Sequence, residues 1–101
     1  MLDEAVTTLR AFAKRPGMYV NPVGVATVES FLTGLSAGLA CAGLVYDQEV
    51  YKAVAASRGW KWRATGIVWH MREKGLSEEA IIQELIAIEC EAYSRVARAG
   101  A

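Results

Sequence analysis

The last quarter of the chain constrains the fold most. From Ser77 onward, Ile81, Leu85, Ile88, Ala92 and Val96 recur at helical spacing, and Ile82, Ile86 and Tyr93 widen the stripe. A stripe this broad needs apolar cover on more than one side. It predicts one long helix over residues 77–98, central to a bundle and touched by several other helices. Ser77-Glu78-Glu79 supplies its start, because serine accepts hydrogen bonds from free backbone N–H groups and glutamates favour the positive helix end. Arg95 and Arg98 suit the negative end.

Shorter helices precede it. Val6, Leu9, Phe12 and Ala13 mark a first helix over residues 3–14, which Pro16 stops. Arg15-Pro16-Gly17-Met18-Tyr19 then reads as a turn and an extended segment. A second helix over 24–42 carries Val25, Val28, Leu32, Leu35 and Leu39 in one seam with Phe31 beside it. Gly34, Gly38 and Ala42 share a line on this helix. Each glycine weakens a helix by about 1 kcal/mol relative to alanine, so the spacing predicts close approach of another backbone. The last helix is the first choice for that neighbour and a second subunit is the alternative. Asp47 caps a third helix over 48–57, closed by Arg58-Gly59, and a fourth runs over 65–74 with Gly75 as its stop. The expected fold is all-α: a single compact domain of four to five helices with an extended segment after the first.

The 101 residues carry eleven Lys+Arg against eleven Asp+Glu, so no global field draws in nucleic acid or an anionic membrane. The longest uncharged run, residues 30–46, is short and glycine-rich for a membrane span. Asp3 and Glu4 stand where a secretory signal would be basic, and a cytoplasmic protein is the expectation. Cys41, Cys90 and His70 are too few for a four-ligand zinc site, and both cysteines read as small buried hydrophobes. No metal or other cofactor is expected.

The charge is polarised along the chain. Residues 52–74 hold six basic side chains and one acidic one, whereas residues 75–101 hold five acidic and two basic. Within the basic stretch, Trp60-Lys61-Trp62-Arg63 alternates aromatic and cationic side chains. Such a string serves as core anchors, as hot spots for a protein partner, or as a stacking surface for nucleic acid, in that order of preference. His70 and Glu73 lie three apart on one helical face, a proton-shuttling arrangement with no nucleophile beside it in sequence. The half-exposed histidine with a local partner is the preferred reading. Glu78, Glu79, Glu84, Glu89 and Glu91 fall on several faces of the last helix and read as solvated surface charge.

The string Lys14-Arg15-Pro16-Gly17-Met18-Tyr19 resembles the segment after the first helix in the ATPase domain of type II topoisomerase B subunits. The likeness stops at the next helix. Glu29 matches that family's glutamate, but Leu32-Thr33-Gly34 follows with no magnesium-binding Asn, and the chain is too short for that fold. An ATPase is excluded. Along most of its length the chain resembles small bacterial proteins related to the immunity proteins of polymorphic toxin systems. The matching features are Arg15 to Tyr19, Phe31-Leu32-Thr33-Gly34, the aromatic stretch Trp60 to Trp69 and the acidic last helix. That resemblance implies a non-catalytic protein that binds another protein, and it supplies no catalytic residues.

The leading expectation is therefore a helical protein-interaction module, with a homodimer as a further expectation, and with Arg15, Tyr19, Trp60, Trp62 and Arg63 exposed for recognition. The first alternative is a small-molecule pocket or minor enzyme site between the second and fifth helices, with Tyr19, Trp69 and His70 near its mouth. The second alternative is weak nucleic-acid binding through the basic centre.

Overall fold

The computed structural model describes residues 2–64 and 66–100, with side chains in the last helix as far as residue 96. Five α-helices follow one another: α1 (Leu2–Lys14), α2 (Val25–Cys41), α3 (Gln48–Ser57), α4 (Val68–Glu73) and α5 (Glu78–Gly100). α5 is central and packs against α1, α2, α3 and α4. The fold is an all-α bundle, and among the described residues the only β pairing is an isolated bridge between Arg63 and Gly66.

The apolar stripe of α5 supplies much of the core. Ile81, Ile82, Leu85, Ile86, Ile88, Ala92 and Tyr93 are all buried. Leu9 and Phe12 of α1, Val25, Val28 and Leu32 of α2, and Val54 and Ala55 of α3 close over them. Ser77 caps α5 by accepting from the Ala80 N–H at 3.2 Å. Asp47 caps α3 by accepting from the Glu49 N–H at 2.9 Å. Gly59 leaves α3 with φ +91°, a left-handed conformation that a side chain disfavours.

Three expectations change. Residues 16–18 form a 3-10 turn rather than an extended segment, because the fixed φ of Pro16 opens a turn in which Tyr19 N–H bonds the Pro16 carbonyl at 3.0 Å. α4 begins at Val68, since the Arg63–Gly66 bridge, with Gly66 at φ +96°, occupies the preceding residues; the Thr65 start lies outside the described residues, as does the side chain of Arg98. Cys41 is exposed, in the last turn of α2 beyond its buried residues Val25, Val28 and Leu32, and Cys90 on α5 is only half-buried.

Gly34 and Gly38 are also corrected. Both face open space, and a Cβ built on either meets nothing within 4 Å. Neither supports a close helix crossing within the chain. Gly34→Ala and Gly38→Ala are each expected to raise stability by about 0.5–1 kcal/mol through helix propensity, seen as an upward shift in thermal midpoint. A fall in the midpoint would show that a second backbone packs there.

A long-range contact fixes the start of α2. The first carboxylate oxygen of Glu78, at the head of α5, accepts from the Val25 N–H at 2.9 Å, and its second oxygen lies 3.7 Å from Arg72. One side chain therefore ties α2, α4 and α5 together at one end of the bundle.

Candidate functional site

A cleft of about 470 Å³ lies between α2, α3 and α5. Along α2 its wall is Glu29, Leu32, Thr33, Ser36, Ala37 and Ala40. Tyr46, Gln48, Tyr51 and Trp62 face them, and Leu85 and Glu89 of α5 complete the lining. Glu29, Thr33, Ala37, Ala40 and Gln48 are exposed, so the cleft opens along the outer face of α2.

Glu89 is the unexpected residue. It is only 8% exposed, so it is not the surface charge its acidic neighbours suggest. The Tyr46 hydroxyl donates to its Oε1 at 2.7 Å. Among the described residues its other oxygen accepts nothing. Burial pushes the Glu89 carboxyl up to about 7, and the Tyr46 hydrogen bond pulls only partly the other way. Burial also raises the Tyr46 and Tyr51 hydroxyls, with the Glu89 charge adding to both and Glu29 adding to Tyr51. At neutral pH the floor of the cleft is thus a carboxyl poised between its two protonation states, surrounded by phenols that stay protonated.

Aromatic rings frame that carboxyl. Tyr46 lies nearly parallel to Tyr51 at 6.3 Å between centroids, and meets Tyr93 edge-on at 4.9 Å. Tyr51 meets Trp62 edge-on at 5.6 Å. Lys52 already places its ammonium 5.5 Å from the Trp62 ring centroid. Ring faces of this kind attract cations through their quadrupole.

The expected recognition residues divide. Arg15, Tyr19 and Arg63 are exposed. Tyr19 still packs edge-on against Phe12 at 5.4 Å and Phe31 at 5.6 Å, and it does not line the cleft. Trp60 and Trp62 are half-buried and packed on the core rather than displayed. The Trp60 indole N–H donates to Glu84 Oε2 at 2.8 Å, and Arg58 holds the same carboxylate through two bonds of 2.9 and 2.6 Å. That pairing holds the Glu84 carboxyl below the usual carboxylate range and joins the exit of α3 to α5.

A cavity between the second and fifth helices exists, but Tyr19, Trp69 and His70 are not at its mouth. Trp69 and His70 line a separate basic cavity with Trp62. His70 is buried, its Nδ1 accepting the Lys61 N–H at 3.0 Å and its ring meeting Trp60 edge-on. The His70–Glu73 pair forms no hydrogen bond. No group of three or more His, Cys, Asp or Glu suited to a metal occurs among the described residues, and none of the described helices is long and apolar enough to cross a membrane.

No protein-family model matches the chain, and no curated protein or solved structure matches it significantly.

Sequence reasoning missed Glu89, Tyr46 and Tyr51 as a set. One signal was present: Glu89 sits four residues after Leu85 and four before Tyr93, inside the apolar stripe of α5.

Proposed function

We propose that this chain is a non-catalytic binding module that engages a partner protein by receiving one cationic side chain in the α2–α3–α5 cleft. The carrying observation is Glu89: a largely buried carboxyl with one oxygen held by Tyr46 and the other, unpartnered among the described residues, open to a cleft that Tyr46, Tyr51 and Trp62 also line. A buried carboxylate is costly unless a cation or donor meets it. An arginine or lysine entering the cleft supplies that partner, and the rings stabilise the same charge from the sides. Glu29 at the exposed rim adds attraction during approach. The opening along α2, lined by small side chains, admits a side chain presented on another protein's surface. The resemblance to immunity proteins, which implies a protein partner, agrees with this reading.

The test is a titration with a short peptide carrying one central arginine, followed by two-dimensional amide NMR. Saturable shifts are expected at Ser36, Tyr46 and Tyr51 and at the Trp62 indole. Glu89→Gln is expected to weaken binding about tenfold or more, the scale of a lost charged hydrogen bond. A matched peptide with citrulline, neutral and isosteric, should not bind. Equal binding of the citrulline peptide would remove cation recognition from the cleft.

A further inference from the structure

The second cavity, about 350 Å³, is lined by Lys61, Trp62, Arg63, Trp69, His70, Glu73 and Lys74. Four described cations outside the cavity are paired: Lys52, Arg58, Arg72 and Arg95 each reach a carboxylate, whereas Arg10, Lys14 and Arg15 do not among the described residues. Lys61, Arg63 and Lys74 form no ion pair among the described residues, although Glu73 shares their cavity. Three cations and one carboxylate give the lining a formal net charge of about +2.

Two further observations point to a missing acceptor. The Trp69 indole N–H is buried and has no hydrogen-bond partner, a state that native structures avoid. The Arg63 guanidinium lies over the Trp69 ring at 3.6 Å, parked on an aromatic face rather than on an anion. His70 adds a donor. Its Nδ1 accepts the Lys61 N–H, so the ring proton sits on Nε2.

We infer that this cavity binds a phosphate monoester, with Lys61, Arg63 and Lys74 neutralising the dianion and Trp69 and His70 supplying N–H donors. A dianion matches the charge of the lining, whereas a carboxylate leaves half of it unanswered. Arg63 swings from the Trp69 face to the phosphate, which is the bidentate partner a guanidinium favours. The inference does not depend on the cation-accepting cleft, although Trp62 forms part of both walls.

The test is a titration of the full chain with phenyl phosphate at low salt, read from the three tryptophan indole N–H signals. The Trp69 signal is expected to shift and saturate, while the Trp60 signal, held by Glu84, stays in place. Lys61→Ala/Lys74→Ala replaces two exposed side chains and should weaken phenyl phosphate binding about tenfold or more. The same double variant should keep its binding of the arginine peptide, which separates loss of this site from loss of the cleft. An unmoved Trp69 signal, or undiminished affinity in the double variant, overturns the inference. Tighter binding of a single-stranded oligonucleotide, whose phosphates are monoanionic diesters, would overturn it in favour of nucleic-acid recognition.

Discussion

Glu89→Gln is expected to remove a pH-dependent contribution of about 3 kcal/mol, the stability that this one carboxyl loses in the natural chain as pH rises from 4.5 to about 8. The Glu89 carboxyl is raised from 4.5 to about 7 in the folded chain, chiefly by burial. In that interval the folded chain keeps a proton that the unfolded chain has released. Stability from this group is therefore full below 4.5, falls by about 1.4 kcal/mol per unit on the way to 7, and levels off above it. Glutamine has the same size, cannot ionise, and still accepts from the Tyr46 hydroxyl. Urea unfolding across the pH range should show the gap between variant and natural chain widening by that amount. A constant gap would place Glu89 in ordinary solvent. The expected trade of stability for a charged binding group is a common feature of recognition sites.

Phe12→Ala carries the largest expected loss. Phe12 is fully buried and touches both Phe31, at 4.3 Å between centroids, and Tyr19, at 5.4 Å. Truncation removes a ring from between α1, the 3-10 turn and α2, for a cost of about 3–5 kcal/mol. In a domain of this length the thermal midpoint falls by about 15–30 °C. Tyr19→Ala, in a side chain 42% exposed, should cost only about 1 kcal/mol. The contrast makes Arg15 to Tyr19 a packing turn whose aromatic end is pinned by the core. Near-equal losses for the two variants would contradict that division.

The helices were legible because their signals are local or periodic. Asp47 and Gly59 bracket α3, and its bounds follow from them. The spacing of Ile81, Leu85, Ile88 and Ala92 announced both α5 and the residues it buries. The 3-10 turn was less legible, since proline favours both a turn and an extended chain. Tertiary pairings were hidden altogether. Nothing local links Tyr46 to Glu89, forty-three positions away, or Glu78 to the start of α2, fifty-three positions away. A glutamate within an acidic helix reads as solvated until a partner is known. The glycines of α2 misled for the opposite reason: small residues permit a close approach but do not compel one, and here the space beside them is open.

The protein-interaction reading stands on whether Glu89 is a desolvated acid that a cation can claim. The most direct measurement is the side-chain carboxyl ¹³C shift of Glu89 through a pH titration, without and with the arginine peptide at saturation. A midpoint of about 7 is expected in the free chain, falling when the peptide's cation ionises the carboxyl. A free-chain midpoint at the ordinary carboxylate value, or a midpoint that the saturating peptide leaves unchanged, would contradict that reading.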